Sequence, residues 1–262
     1  MKSKRNKIVF IGAGNVASAI AKTLHKKHDI VQVYSKSNAH AEQLASVLHC
    51  SFTNSLKKIV SDADIYIIAV KDDAIEQVAS VLRLGNKLVL HTSGAIDISP
   101  LKKISNRYGV LYPLQTFSKD SLIKKGIPFC IEASDKNVKT ELEELVKELK
   151  GEVHVLNSKQ RARLHLAAVF VNNFTNHMFA IAEDILNEDK IPFDLLLPLI
   201  DETITKIKYK SPFQSQTGPA LRKDKKTIKK HEKMLSDKPD YLSIYKQMTK
   251  SIQHIHSHAK KL

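Results

Sequence analysis

The stretch Lys7 to Leu24, KIVFIGAGNVASAIAKTL, changes period in its middle, and that change limits the possible folds more than any other feature of the chain. Ile8, Val9, Phe10 and Ile11 form a short apolar run of strand type. From Gly12 onward, Val16, Ala19, Ile20 and Leu24 fall at helical spacing. A strand, a tight turn and a helix are therefore predicted. In such a unit Gly12 permits the turn, Gly14 lets a diphosphate approach the backbone, and Ala17 lets the helix lie close to the sheet. The free N–H groups of the first helical turn, at Asn15, Val16 and Ala17, face the phosphates.

The residues about 20 positions further on test this expectation of a dinucleotide site. Asp29 to Tyr34, DIVQVY, reads as a second strand and runs into Ser35-Lys36-Ser37. An NAD-specific domain usually places an acidic residue there, on the ribose hydroxyls. Two hydroxyls and an ammonium suit a 2′-phosphate instead, which points to NADP. The alternative for these three residues is a solvated turn after a core strand. A rival also exists for the N-terminus, because the basic stretch Met1 to Lys7, the apolar run and Ala17-Ser18-Ala19 together imitate a signal peptide. Gly12, Gly14 and Asn15 interrupt that apolar core, so the folded strand and turn are preferred.

The 262 residues, 42% of them hydrophobic, can form a substantial core in one large or two moderate domains. No apolar run approaches the ~20 residues that cross a bilayer. A soluble cytoplasmic protein is expected, with Cys50 and Cys130 as reduced thiols. The formal charge of +15 comes chiefly from dispersed lysines, and aromatics are only 6%, so no stacking platform for nucleic acid is visible. Such a surface attracts anionic ligands such as NADP and a carboxylate substrate.

Strand and helix patterns then alternate. Ala63 to Val70, ADIYIIAV, has the near-continuous apolar character of a strand buried on both faces. Val70 and the Lys71-Asp72-Asp73 loop are expected beside the ribose and nicotinamide, because ligands collect beyond the carboxyl ends of such strands. Asp73 is the predicted cap of the following helix. Lys87 to Leu90 ends in His91-Thr92-Ser93-Gly94-Ala95, and Tyr108 to Leu114 runs into the polar loop Pro113 to Ser118. Pro128 to Glu132 and Glu152 to Leu156 close the series, with a helix from Asp135 to Lys150 between them. The α/β class follows, as a doubly wound, mostly parallel Rossmann sheet over residues 1–156.

Residues 157–262 read as all helical. Ser158 is the predicted cap of a long helix through LHLAAVFVNNFTNHMFAIAEDIL, too apolar around its circumference to lie on a surface and so expected to be buried on several sides. On it His165, Asn172 and Asn176 recur at spacings of seven and four and share a face. That face is either a structural hydrogen-bonded seam or a substrate-facing stripe where the two domains join. Asp224 can cap the helix carrying Ile228 and His231, and Arg222 can clamp a carboxylate or pair with Asp224 or Glu232. His254, His256 and His258 read as a solvated helix end, and no metal site is expected.

The glycine turn, His91 to Ala95, Tyr112-Pro113-Leu114-Gln115-Thr116-Phe117, the His165 to Asn176 helix, and Gly218 to Asp224 with Thr227 and His231 together carry a resemblance over almost the whole chain. They resemble a family of NADP oxidoreductases with a Rossmann-like N-terminal domain and a helical C-terminal domain of unknown function. By fold that family is similar to pyrroline-5-carboxylate reductase, deazaflavin-dependent NADP reductases and β-hydroxyacid dehydrogenases. The resemblance implies NADP, a helical half like the C-terminal domain of 6-phosphogluconate dehydrogenase, and no particular substrate. β-Hydroxyacid dehydrogenases carry Lys-x-x-x-Asn on the first helix after the nucleotide domain, where this chain has Ala168 and Val169 at the corresponding spacing. His165 is the substitute proton carrier.

The expectation is hydride transfer between nicotinamide and a small carbonyl, imine or hydroxyl substrate. His91 and Ser93 border the nicotinamide, His165 moves the proton, Asn172 orients the reacting atom, and Arg222 holds an anionic group. A homodimer through the helical half is expected, with neither nucleic acid nor membrane as partner. The alternative is an NADP-binding sensor or scaffold without catalysis.

Overall fold

The computed structural model describes residues 5–118 and 121–258. The start of the basic N-terminal stretch, residues 1–4, and the side chain of His258 lie outside the described residues. Two compact units divide at Asn172/Asn173, inside the helical stretch that follows the sheet.

The first unit holds β1 (Lys7–Ile11), α1 (Asn15–Leu24), β2 (Asp29–Tyr34), α2 (Asn38–Leu48), β3 (Ser51–Thr53), β4 (Ile65–Ile68), α3 (Asp72–Val81), β5 (Gly85–His91), β6 (Ser105–Pro113), β7 (Pro128–Ala133), α4 (Lys136–Glu148), β8 (Glu152–Val155) and α5 (Ser158–Ala168). The strands form one sheet in the order β3-β2-β1-β4-β5-β6-β7-β8. All neighbouring pairs are parallel except β6 and β7. The doubly wound, mostly parallel sheet read from the sequence is therefore present.

Its strands are apolar on both sides because both faces are covered. Ile8 and Phe10 of β1 enter one cluster with Ile65, Ile67 and side chains of α1, α2 and α4. Val9 and Ile11 enter the other with Tyr66, Ile68 and side chains of α3. This alternation is the two-residue period of a strand, with neither face left to water.

Local caps depart from expectation in two places. Lys71, not Asp73, occupies the cap position of α3, and Asp72 and Asp73 lie in its first turn, where their charge suits the positive end of the helix. Asn157, not Ser158, caps α5, because Gln160 stands three residues on and completes a reciprocal capping box. Ser158 is thereby free for tertiary contacts: its hydroxyl donates to Glu132 at 2.7 Å and accepts from the Ile98 N–H at 3.2 Å.

One turn further along α5, Arg161 is completely buried. Its guanidinium pairs with Glu132 of β7 and donates to the Ile96 carbonyl at 2.5 Å, while its Nε has no partner. A buried cation is tolerated only when paired, so the Glu132 pair fixes α5 against β7 and against the loop after β5.

After Ala168 the chain enters a π-helical stretch, Val169–Phe174. The 3.6-residue line that puts His165, Asn172 and Asn176 on one face does not pass through such a stretch unchanged. Among the described residues the expected burial on several sides is also not found along this stretch. Leu166, Phe170 and Val171 are exposed, the last by 74%. Their apolar character is therefore not matched by burial among the described residues.

The second unit contains α6 (Thr175–Asn187), α7 (Leu197–Lys206), α8 (Pro212–Ser215), α9 (Pro219–Arg222), α10 (Lys225–Met234) and α11 (Pro239–His258). Lys238 bonds Asp184 at 2.8 Å and Glu188 at 2.6 Å, tying the start of α11 to α6. Asp224 caps α10 as expected, accepting from the Thr227 N–H at 3.0 Å. His231 and Tyr245 share a hydrogen bond of 3.0 Å. Among the described residues of this unit Ala220 alone is buried. No helix among the described residues is long and apolar enough to cross a membrane.

Replacing Glu132 by Leu strands the Arg161 charge, and is expected to lower unfolding free energy by about 3 kcal/mol. Urea denaturation of the Glu132→Leu variant checks this, and the change should shrink when Arg161→Met is added.

Candidate functional site

Strands β1, β2, β4, β5 and β6 are mutually parallel, so their carboxyl ends meet at one edge of the sheet. The strand order reverses direction between β1 and β4, the topological switch where open α/β sheets bind ligands. The candidate residues of the sequence, from Gly12 to His91 and Ser93, stand at or just after these strand ends.

At the switch, Gly12 has φ +122°, and a Cβ placed there would lie 2.1 Å from the Ala69 carbonyl oxygen. Its N–H donates to the Tyr34 carbonyl at 2.8 Å, while the Ala69 N–H donates to Ile11 at 2.8 Å. Only glycine fits between the ends of β2 and β4. Gly14 is different: its φ of −80° suits any residue, yet a Cβ there would meet nothing within 4 Å. It occupies the cap position of α1 with no side-chain cap, and the first turn has no acidic residue. The N–H groups of Asn15, Val16 and Ala17, which have no carbonyl four residues back inside the helix, therefore favour an anion. Ala17 itself is buried against the sheet.

The open space above Gly14 continues into a cavity of about 220 Å³ bordered by Asn15, Ser18, Lys22, His40 and Gln43. The residues present thus fit a diphosphate-bearing cofactor. The Asn15 amide donates to the Phe117 carbonyl at 2.8 Å and ties the loop after β6 to the turn. Beside it, at the end of β2, Ser37 caps α2 through the His40 N–H at 3.4 Å, and Ser35 accepts from the Ser37 N–H at 3.3 Å. Lys36 between them is exposed. Val70, half-buried, follows β4 next to the Gly12 contact.

His91 ends β5 with no exposed surface. Its Nδ1 accepts from the Ser93 N–H at 3.2 Å, so its Nε2 carries the proton and donates to the Asp97 carbonyl at 3.3 Å. Burial, aided by the Arg161 charge, lowers its pKa to about 4 and keeps the ring neutral. Ser93 is also nearly buried, its oxygen accepting from the N–H groups of Ala95 at 3.1 Å and Ile96 at 3.0 Å. Both side chains therefore shape the loop between β5 and β6.

That loop is shaped against His165. The Tyr112 hydroxyl, at the end of β6, lies 3.0 Å from Nδ1 of His165, with the rings edge to face at 77°. A Cβ on Gly94 would stand 2.7 Å from both that Nδ1 and the Tyr112 ring. Gly94, Tyr112 and His165 therefore form one close group at the carboxyl edge. Asn172 is exposed within the π-helical stretch. Arg222 belongs to the second unit, exposed at the end of α9, and contributes modestly to the lowered Asp224 pKa, which arises first from the Thr227 hydrogen bonds.

Tyr112 stands in the sequence only as part of the Tyr112 to Phe117 motif, with no role attached to it. The rule that polar residues cluster at strand carboxyl ends, applied to β6, selects it. Arg161 carried no such signal.

Residues 7–95 match a family model described as NADP oxidoreductase, coenzyme F420-dependent, and residues 127–252 match a domain of unknown function, DUF2520. The Bacteroides fragilis protein BF3122, provisionally named an NADP oxidoreductase, is 40% identical with a TM-score of 0.88, over 95% of this chain and 98% of that one. The chain belongs to this family of NADP oxidoreductases. NADP is the cofactor that the family's name carries.

More distant members of the fold include a reductive aminase from Aspergillus terreus in complex with NADPH and ethyl-5-oxohexanoate, at 13% identity and TM-score 0.70, covering 98% of this chain and 94% of that one. A 1-pyrroline-5-carboxylate reductase from Streptococcus pyogenes has 15% identity and TM-score 0.62, covering 96% and 100%. At such identities the likeness concerns the fold. No curated protein matches the chain.

The depressed pKa of His91 has a consequence for stability. Between the unfolded value near 6.5 and the folded value of about 4 the unfolded chain binds more protons, so stability from this group is complete above pH 6.5 and lost as pH falls toward 4. The integrated loss is about 3 kcal/mol. His91→Asn should flatten the stability profile across that window, as followed by urea denaturation at pH 7, 5.5 and 4.5.

Proposed function

We propose that the protein is an NADPH-dependent reductase of a small carbonyl or imine compound, working in reverse on the corresponding hydroxyl or amine. The open, uncapped start of α1 above Gly14 carries the proposal, within a family of NADP oxidoreductases. The backbone of Gly12 to Ala17 receives the diphosphate, while Ser35, Lys36 and Ser37 hold the 2′-phosphate by charge-assisted hydrogen bonds. Val70 and the His91 to Ser93 loop border the nicotinamide. When bound, NADPH supplies the hydride. His165 gives a proton to the substrate heteroatom, and Asn172 orients that atom. The imine-acting and ketone-bearing fold relatives support this class of substrate.

A homodimer through the helical half belongs to the same proposal. A unit of residues 173–262 in which Ala220 is the one buried described residue has no adequate core of its own, and Leu195 and Leu199 are 69% and 64% exposed. A second copy supplies the missing apolar contact symmetrically. A non-catalytic NADP-binding sensor is the alternative, favoured by Ala168 and Val169 where a proton-carrying lysine stands in β-hydroxyacid dehydrogenases.

Selective ligand binding raises apparent stability by mass action, about 2.7 kcal/mol at a hundredfold excess over Kd. NADPH should therefore raise Tm more than NADH, and Lys36→Ala should narrow that difference. Gly14→Val should leave the ligand-free Tm nearly unchanged while abolishing the NADPH shift; an unchanged shift would overturn the site. NADPH oxidation in a screen of keto acids, aldehydes and cyclic imines then separates enzyme from sensor. Light scattering on the eluting protein should give about twice the chain mass; a monomer would remove the dimer.

A further inference from the structure

The sequence assigns His165 a proton without saying which ring nitrogen carries it. Two contacts crowd the same edge of this imidazole. Tyr112 Oη is 3.0 Å from Nδ1, and the Gly94 backbone lies so close that an added Cβ would be 2.7 Å from Nδ1 and 2.8 Å from Cγ. Nε2 lies across the ring from Cγ, on the side away from Gly94. Half-buried His165 has no hydrogen bond at Nε2 among the described residues, and that nitrogen is not sealed from solvent, which leaves it for another molecule.

We propose that Tyr112 is a positioning residue that accepts a hydrogen bond from Nδ1–H of His165, so that Nε2 is the atom exchanging the proton with substrate. The chemical role rests on the reductase reading of this site. The hydrogen-bond direction follows from the charge states the reaction needs. An imidazolium has both nitrogens protonated, so its Nδ1 can only donate, and Tyr112 Oη must accept. In reduction the substrate carbon gains the hydride and its C=O or C=N π pair moves to the heteroatom. That atom takes the proton as the Nε2–H bond breaks. His165 becomes neutral with its proton still on Nδ1, and water later reprotonates Nε2.

The Nδ1–H to Tyr112 bond is the same before and after transfer. No ring flip or hydroxyl rotation is required. The opposite arrangement, Tyr112 O–H donating to Nδ1, would oblige the tyrosine to lose its proton whenever Nε2 gave one up. Burial raises the Tyr112 pKa and disfavours that loss. Gly94 completes the arrangement, since a side chain there would displace the imidazole from Tyr112.

The direct test needs neither cofactor nor substrate. Protein labelled with ¹⁵N in its histidine rings, the His165 signals assigned by their disappearance in His165→Gln, reports which nitrogen is protonated at pH 8.5, two units above the ordinary imidazole value. Wild type should show Nδ1 protonated and Nε2 bare, and Tyr112→Phe should shift the population toward Nε2–H. A bare Nδ1 in wild type, or no shift in Tyr112→Phe, overturns the proposed direction. Once a substrate is found, Tyr112→Phe should lower kcat about a hundredfold while KM for NADPH stays unchanged. Unchanged kcat overturns the positioning role. If the screen yields no turnover, the reductase reading and with it the catalytic part of the proposal fail, while the nitrogen spectra still decide the hydrogen bond.

Discussion

Between the end of β1 and the end of β4 there is space for a hydrogen atom and none for a methyl group. That restriction at Gly12 lets three parallel strands finish side by side, because the chain can turn away at once into α1 without pushing β2 and β4 apart. The aligned ends then determine where polar side chains gather. Strands buried on both faces carry few such groups along their length, so Ser35 to Ser37, His91, Ser93 and Tyr112 collect at or just past the carboxyl ends of β2, β5 and β6. The helix start above Gly14 faces the same rim.

Arg161 is the second organising contact. A guanidinium removed from water needs partners for its charge and donors nearby, and its two terminal nitrogens find the Glu132 carboxylate of β7, the Ile96 carbonyl of the loop after β5 and the Ser158 hydroxyl, while Nε is left without one. Ser158 reinforces both attachments through Glu132 and Ile98. The loop held in this way is the one whose interior is occupied by neutral His91 and by Ser93. Gly94, on that loop, is what His165 lies against. The placement of one imidazole thus depends on a buried ion pair one helical turn earlier.

The sheet was legible because its strands alternate with helices at short intervals and because burial on both faces leaves no polar interruption. ADIYIIAV could hardly be anything else. The cap of α5 is legible too: Asn157 with Gln160 three residues later is a capping box, whereas Ser158 lacks such a partner. Arg161 was invisible, since an arginine in a helix reads as surface charge until tertiary contacts enclose it. The π-helical stretch leaves no periodic mark, and so the shared face of His165, Asn172 and Asn176 belongs to an ideal helix the chain does not keep. The apolar residues from Leu166 to Phe174 show how hydrophobicity reports a need for burial without naming the surface that meets it.

The antiparallel pairing of β6 and β7 carries a geometric consequence. β7 and β8 both descend, and through the paired registers Val155, the last residue of β8, stands level with Ile131 and Leu111, close to the level at which β1 and β4 finish. α5 must then climb. From Ser158 to His165 it rises about 10 Å, at 1.5 Å per residue, which delivers the imidazole to the upper rim beside Tyr112. A chain arriving on a descending strand turns into a helix running the other way, and one reversal of strand direction thereby lays α5 from Glu132 toward Tyr112.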